Sequence, residues 1–269
     1  MTTAFHIVVC GSLVPDPLQT LEPIQGPTGP ALKNEMMLPS VLDPWAGHSL
    51  FEAANLAKQN PGSKVTLISL GSKAKLQQLM MIIAQKVPFE LVCLDGSASG
   101  FMDSKEVAVA LAGAIEKIPG LDKTKLLVFG GCSSASRDAG TTMQMIAEQL
   151  GISDVFLAAD ELKVQPDDSF RILERIEGGQ YQVSTCAGAP VVIGWATGNL
   201  PEPPNNPQVG MTNMRTIMPA LQRATSAALK TDAIKFASVE LPKQQRQTRI
   251  VKDMPVDDIA KEVVAWIKA

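Results

Sequence analysis

Residues 6–13 have the sequence HIVVCGSL, an apolar run of the kind that forms a strand buried on both faces of a sheet. Four later runs share this character: 64–70, 89–94, 126–129 and 191–195. Helix-like patterns separate them at 48–59, 73–85, 104–117 and 139–150, and Gly151 follows the last at a C-cap position. This alternation predicts an α/β fold, with a mostly parallel sheet that carries helices on both faces.

Composition limits the class of protein. The chain has 269 residues, of which 45% are hydrophobic and 19% charged, enough for one large α/β domain. A net charge of -3 gives no general attraction to nucleic acid or anionic lipid. Four widely spaced cysteines without a CxxC pair favour reduced, structural thiols. No basic n-region precedes the first apolar run, and no run is long enough to span a membrane, so we expect a soluble, cytoplasmic protein.

Three segments depart from the alternation. Residues 15–44 are rich in Pro and Gly and lack periodicity, as functional loops often do. Residues 162–183 carry turn sequences at 166–168 and 177–179, which predict an antiparallel excursion before the last strand. Residues 196–214 are rich in Pro and Asn and predict an exposed loop.

The C-terminal part differs in charge from the rest of the chain. Residues 215–252 contain eight basic and two acidic side chains. Residues 256–268 predict an amphipathic helix with Ile259, Val263, Trp266 and Ile267 on one side. Two interpretations remain open: an arm that docks on another subunit, or a solvated basic face with a helix that packs on its own domain.

Catalytic motifs are scarce. The two histidines are His6 and His48, and the sequence has no GxSxG elbow, HExxH, Walker A motif or GxGxxG fingerprint. We therefore disfavour a hydrolase or a NAD-dependent enzyme and expect no catalytic residues.

The best small-molecule candidate is residues 130–142, GGCSSASRDAGTT, which follow a strand and open a helix. Glycines and hydroxyls there allow backbone N–H groups and side chains to approach a phosphate, and Arg137 adds positive charge. The alternative is an ordinary loop whose Ser and Asp side chains cap the helix. Beside it, Asp43 is placed to cap the first helix, and Trp45 either packs in the core or stacks on a ring system.

These segments, in this order, resemble the beta (small) subunit of electron transfer flavoproteins over nearly the whole chain. The motifs that carry the resemblance are IVVCGSLVPDP (7–17), LDPWAGHSLFEAANLAK (42–58), VTLISLGS (65–72), KLLVFGGCSSASRDAGTTMQMIAEQLG (125–151), RIEGGQYQVS (175–184), APVVIGW (189–195) and MRTIMPALQRA (214–224). The resemblance implies an adenine-nucleotide-hydrolase-like sheet with Rossmann-type layering, and an electron carrier subunit rather than an enzyme.

The resemblance also implies cofactors. A larger alpha subunit would hold most of one FAD, and Trp45 would form a wall near its isoalloxazine ring. AMP would occupy a pocket built from the end of the first strand, the loop at 43–46 and the serine-rich loop. The implied cofactor-binding residues are Val9, Asp43, Pro44, Trp45, Ala46, Leu70, Gly131, Ser133, Ser134, Ser136, Arg137, Asp138, Gly140, Thr141 and Thr142.

Partners follow from the same resemblance. An α/β core would span 1–197, a partner-recognition loop 198–225, and a C-terminal arm that docks on the alpha subunit 226–269. The loop would recognise an acyl-CoA dehydrogenase-type donor, and electrons would pass on to a quinone reductase or another acceptor. The implied docking residues are Met211, Met214, Ile217, Met218 and Arg223.

The sequence departs from the family pattern in two places. The family's nucleotide loop usually carries Gln-Ala-Ile-Asp-x-Asp, of which Asp138 is retained, and Thr141 replaces a usual Gln. The lysine cluster after Ile-Met is here Leu221-Gln222-Arg223. One alternative function is a stand-alone adenine-nucleotide-binding α/β protein without a redox role. Another is an enzyme that uses the 133–142 loop for phosphate chemistry.

Overall fold

The computed structural model describes residues 3–27, 29–96, 101–136, 138–227, 229, 234–238, 240 and 248–268. Within these ranges the strands are β1 His6–Pro15, β2 Pro23–Gly26, β3 Gly29–Leu32, β4 Ser40–Leu42, β5 Lys64–Gly71, β6 Glu90–Asp95, β7 Leu126–Gly131, β8 Val155–Val164, β9 Phe170–Ile176, β10 Gln180–Cys186, β11 Val191–Trp195 and β12 Thr225–Ser226. The α-helices are α1 Pro44–Gln59, α2 Lys73–Ile83, α3 Ser104–Ile115, α4 Thr142–Leu150, α5 Pro207–Gln222 and α6 Val256–Lys268.

A mixed sheet forms the centre of the molecule, in the order β10-β9-β8-β11-β7-β1-β5-β6-β12, and β4 pairs with the end of β1. In this sheet order, every pairing from β8 through β11, β7, β1, β5 and β6 to β12 is parallel. The pairings of β8 with β9 and of β9 with β10 are antiparallel and form a meander. The chain runs from β1 outward to β5 and β6, then returns to β7 on the other side of β1. The predicted α/β class is confirmed, and the strand order reverses between β1 and β7.

Helices cover both faces of this sheet because the strand side chains alternate. In β1, Ile7 and Val9 belong to a core cluster with α1, α2 and α5. Val8 and Cys10 belong to a second cluster with α3 and α4. Successive side chains of a strand point to opposite faces of the sheet, so the one apolar run of β1 contributes residues to both cores.

The predicted helices form with shifted ends. Helix α1 starts at Pro44 rather than at residue 48, because the Asp43 side chain accepts a hydrogen bond from the Trp45 N–H and Pro44 suits the first helical position. Gly151 ends α4 with φ of 70°, as its place in the sequence predicts.

The antiparallel excursion is confirmed at both turns. Gln165 and Ser169 close the β8–β9 turn by a backbone hydrogen bond, and Gly178 and Gly179 have positive φ between β9 and β10. The sequence did not indicate that β8 starts as early as Val155 and also pairs with β11. Residues 15–44 are more ordered than predicted, since they contain the β2–β3 hairpin and β4.

The prediction of an exposed loop after Trp195 is wrong for α5. Asn206 caps this helix through the N–H groups of Gln208 and Val209, and Pro207 occupies its first turn. Gly210, Asn213, Ile217 and Leu221 are buried at helical spacing. The Asn213 side-chain amide donates to the carbonyls of Ala84 and Val87 at 2.7 and 2.8 Å. Tertiary burial therefore stabilises a helix in a segment whose local composition favours a loop.

The predicted C-terminal helix is confirmed as α6, and none of its residues is buried. Trp266 is 67% exposed and Ile267 is 79% exposed, so much of the apolar side lacks cover in this chain. Lys230, Lys243 and Arg246 of the basic stretch lie outside the described residues.

Candidate functional site

A cavity of about 150 Å³ opens at the carboxyl ends of β1, β5 and β7. This is the point where the strand order reverses, and ligands of open α/β sheets bind at such points because the loops diverge there. The structure brings eleven of the predicted cofactor-binding residues to its wall: Asp43, Ala46, Leu70, Gly131, Ser133, Ser134, Ser136, Asp138, Gly140, Thr141 and Thr142.

Of the other four predicted residues, three do not line this cavity and one lies outside the described residues. Val9 is completely buried inside β1, one position before the lining begins. Pro44 and Trp45 form the first turn of α1, with Trp45 half-buried beside β7. Arg137, the predicted positive charge, lies outside the described residues.

Other lining residues are not among the named cofactor-binding residues, although some lie in segments that were predicted to form the pocket. From β1 come Cys10, Gly11, Ser12 and Leu13; from the α3 region Met102, Ser104, Val107 and Leu111; from the serine-rich segment and α4 Cys132, Ala139 and Met143. The resemblance does imply that the end of the first strand belongs to the pocket, but it names Val9, whereas the lining begins at Cys10.

Asp43 holds the site together. One carboxylate oxygen accepts the Trp45 N–H at 3.1 Å, and the other accepts the Ser134 hydroxyl at 2.6 Å and the Ala135 N–H at 3.0 Å. Burial raises the pKa of Asp43, while these hydrogen bonds act in the opposite direction. The side chain is 3% exposed, so it positions two segments and has little access to a ligand.

The serine-rich loop is ordered by its own side chains. Asp138 accepts the Ser134 N–H at 3.0 Å and has φ of 53°. The hydroxyls of Ser134 and Ser136 are 2.8 Å apart, and the Ser136 N–H donates to the Ser134 hydroxyl. The two serines and Asp138 therefore stabilise the loop. This agrees in part with the alternative prediction, in which the Ser and Asp side chains of this segment have a structural role.

The start of α4 gives the cavity an anion-attracting wall. Thr141 occupies the N-cap position, but its side chain makes no capping hydrogen bond. Thr141 and Thr142 both line the cavity, so the positive end of the helix dipole is close to it. Leu13, Leu70 and Val107 line it as well, which suits a ligand with one anionic and one apolar part.

Two cysteines, Cys10 and Cys132, line the cavity. Burial raises the pKa of the Cys10 thiol to about 12 and also raises that of Cys132, so neither favours a thiolate. His6 heads β1 and His48 lies on α1, and neither lines the cavity.

The predicted docking residues lie on α5 or at its end, not on a loop. Met211 is 68% exposed and Arg223 is exposed. Met214 and Met218 are partly buried against the core. Ile217 is completely buried, because it faces the sheet, so it is not a surface anchor.

Metal sites and membrane-spanning helices are both absent from the part of the chain that the structure describes. No group of three or more His, Cys, Asp or Glu side chains there is placed to hold a metal ion. Among the same residues, no helix combines the length and apolar character needed to cross a membrane.

Comparison with known proteins gives two matches. The chain is 26% identical over 178 residues to the Caffeyl-CoA reductase-Etf complex subunit CarD of Acetobacterium woodii. That match covers 66% of this chain and 63% of the relative's length, less than two thirds of it. The family description "Electron transfer flavoprotein domain" matches residues 34–233, which include α1, the serine-rich loop and α5. These matches support a role in electron transfer, and the chain belongs to the electron transfer flavoprotein domain family.

Proposed function

We propose that the chain is the beta subunit of a heterodimeric electron transfer flavoprotein, an electron carrier without catalytic residues of its own. The observation that carries the proposal is the junction of α1 with the switch-point cavity. Trp45 lies in the first turn of α1, at the same sheet edge as the cavity, on a chain of the flavoprotein family. The relative from Acetobacterium woodii is named as a subunit of an Etf complex, which agrees with a role inside an assembly.

In this proposal FAD is shared with an alpha subunit that holds most of it. FAD supplies the electron-transfer chemistry when bound, and the protein supplies position and surroundings. Trp45 would be this chain's contribution, as an aromatic wall for the ring system. Trp45 packs closely against Gly131 at the end of β7, since a Cβ atom added to Gly131 would lie only 2.5 Å from the Trp45 Cβ.

The cavity itself would hold AMP as a structural ligand. Its chemistry fits: hydroxyls and the α4 N-terminus favour the phosphate, and the apolar wall with Leu70 and Val107 favours the adenine. The residues of the family's usual nucleotide loop are largely replaced, so the polar contacts would differ from those of the family.

The C-terminal arm would supply the alpha-subunit contact. Helix α6 exposes Trp266 and Ile267 and has no buried residue, which is costly for an isolated chain and normal for half of an interface. The segment 198–225 with α5 would meet the electron donor, of the acyl-CoA dehydrogenase type. The exposed Met211 suits such a surface, since methionine adapts to different partners. A quinone reductase or another protein would accept the electrons.

A second candidate is a stand-alone adenine-nucleotide-binding protein without a redox role. It is favoured by the chemistry of the cavity, in which hydroxyls and the α4 N-terminus suit a phosphate and Leu70 and Val107 suit an adenine, with no need of a flavin. Under that hypothesis the chain binds AMP without the help of another subunit and needs no flavin-bearing partner.

Co-expression with its candidate alpha subunit, followed by an absorption spectrum of the purified complex, separates the two. The proposal predicts a yellow heterodimer with stoichiometric flavin. The variant Ile259→Ser/Trp266→Ser should weaken the heterodimer at least about tenfold, as expected for central apolar contacts. The matched control Asp257→Ser/Lys268→Ser changes exposed polar residues of the same helix and should leave assembly unchanged. A colourless complex, or a chain that binds AMP but no partner, would contradict the proposal.

A further inference from the structure

The segment that connects β1 to β4 has no hydrophobic core of its own. It comprises residues 16–39, here called the hairpin arm, and β2 and β3 form a separate two-stranded sheet within it. None of the described residues of the hairpin arm is buried. A two-stranded hairpin without a buried face is only marginally stable in water. The hairpin arm therefore lacks the packing that stabilises the central sheet.

The hairpin arm exposes large apolar side chains. Met36 is 94% exposed, Leu18 is 91% exposed and Met37 is 85% exposed, the three highest values among the large apolar side chains that the structure describes. Single exposed apolar residues are common on protein surfaces, but several within one short segment are typical of a contact surface. Methionine suits such a surface, because its flexible side chain adapts to the shape of a partner.

Backbone pairing brings two of these side chains to the same level of the hairpin arm. The Asp16 N–H donates to the Pro39 carbonyl at 2.9 Å, and further along the segment β2 pairs with β3. Leu18 follows Asp16 by two residues, and Met37 precedes Pro39 by two residues. Leu18 and Met37 therefore lie on neighbouring stretches of chain and belong to one apolar surface.

The hairpin arm leaves the sheet at the edge that carries the switch-point cavity. At its base β1 and β4 pair antiparallel, with Leu13 opposite Leu42. Leu13 also lines the cavity, and Leu42 is followed by Asp43 and by Trp45 in the first turn of α1. A partner that brings a flavin to Trp45 at this edge would therefore meet the hairpin arm.

The C-terminal segment of the chain contacts the hairpin arm as well. A Cβ atom added to Gly29, at the start of β3, would lie 3.8 Å from a ring carbon of Phe236. Phe236 packs edge-on against Phe101, with ring centroids 6.0 Å apart. Phe236 belongs to the C-terminal arm, which is proposed above to dock on the alpha subunit. The hairpin arm is thus continuous with the surface proposed for that subunit.

We propose that the hairpin arm is a second contact surface for the flavin-bearing alpha subunit, formed by Leu18, Met36 and Met37. This inference rests on the proposed heterodimer and adds a contact beside the switch-point cavity to the one proposed for α6. The alpha subunit would present an apolar surface to these uncharged side chains. Their burial in the complex would supply the packing that the hairpin arm lacks in the free chain.

The test is sedimentation velocity of the full chain mixed with its flavin-loaded candidate alpha subunit over a series of concentrations. Leu18→Ser/Met37→Ser should raise the Kd of the heterodimer at least about tenfold, as expected for the loss of central apolar contacts. Both side chains are exposed in the free chain, so its denaturant unfolding should be unchanged. The matched control Met81→Ser/Ile82→Ser changes side chains that are 50% and 57% exposed in the last turn of α2, and it should assemble like the unmodified chain.

The possible results separate this inference from the proposed function. If the unmodified chain forms no heterodimer, the proposed function fails and this inference fails with it. If the heterodimer forms and Leu18→Ser/Met37→Ser assembles equally well, only this inference is refuted. A dimer of the free chain that this variant abolishes would assign the hairpin arm to a second copy instead. Normal assembly with slower reduction by the electron donor would assign it to the donor.

Discussion

Two of the cavities beside α1 differ in how their buried carboxylates are used: the first is the switch-point cavity, and the second is lined by Glu52, Asp160 and Trp195. In the first, Asp43 accepts three hydrogen bonds from Trp45, Ser134 and Ala135. In the second, one oxygen of Asp160 is paired and the other has no partner in the described structure. A saturated carboxylate orders the chain around it, whereas the unpaired oxygen of Asp160 is buried and is a local cost to folding. The comparison separates a carboxylate whose hydrogen bonds stabilise the chain around a site from one whose burial is only partly compensated.

The largest expected effect is the loss of Asp43. Asp43→Ala removes the α1 cap and the bonds to Ser134 and Ala135, so the free energy of unfolding should fall by about 3 kcal/mol. Asp160→Asn should cost only about 1 kcal/mol, because Arg175 is 45% exposed and can be hydrated instead. Denaturant unfolding monitored by circular dichroism measures both. Equal costs would remove the distinction between the two carboxylates.

A smaller effect is expected at Gly131, where α1 meets β7. A Cβ atom there would lie 2.5 Å from the Trp45 Cβ and 2.6 Å from the Ser133 carbonyl oxygen. Gly131→Ala should therefore cost about 2 kcal/mol through overpacking and should alter the fluorescence of Trp45. The control Gly113→Ala, in α3 with nothing within 4 Å of its added Cβ, should gain about 0.5 kcal/mol. A harmless Gly131→Ala would show that the wall of the first cavity is not tightly packed.

The smallest effect concerns pH and the second cavity. The pKa of Glu52 is raised from its ordinary value of 4.5, mainly by burial, so the folded state holds the proton more tightly than the unfolded state. Its contribution to stability is present below pH 4.5 and is lost as pH rises through the folded pKa. Relative to the unmodified chain, Glu52→Gln should thus gain stability above that range, by less than about 1 kcal/mol. Unfolding curves at pH 4 and pH 7 test the sign, and a relative loss at pH 7 would contradict it.

Most of the fold could be predicted from the sequence because short stretches of residues are enough to indicate its strands and helices. The apolar run at 6–13 and the capping positions of Asp43 and Gly151 act within a turn or a strand, and each forms as predicted. Helix α5 was not predicted, because the Pro and Asn content of the whole segment favours a loop, although Asn206 and Pro207 are a local signal for the start of a helix. Its stability comes from Asn213 and Ile217, which contact elements more than a hundred residues away or lie in the core.

The first cavity could be predicted in part and the second not at all. The serine-rich loop and Asp43 carry recognisable local chemistry, and the structure brings them together. Trp195 and Asp160 look like an ordinary strand residue and an ordinary charged residue in the sequence. Their shared cavity depends on a bulge and on strand pairing, which no short window of sequence encodes.

The sequence by itself determined the α/β class, most strands and helices of the parallel core, the antiparallel meander and the amphipathic C-terminal helix. These follow from periodicity and capping, which act between residues a few positions apart. Only the tertiary structure decided which carboxylate is saturated, that Ile217 is core rather than surface, and that Asp160 and Trp195 are left with unpaired polar atoms. Those outcomes depend on which distant groups meet, because burial and hydrogen bonding are properties of the assembled sheet and helices.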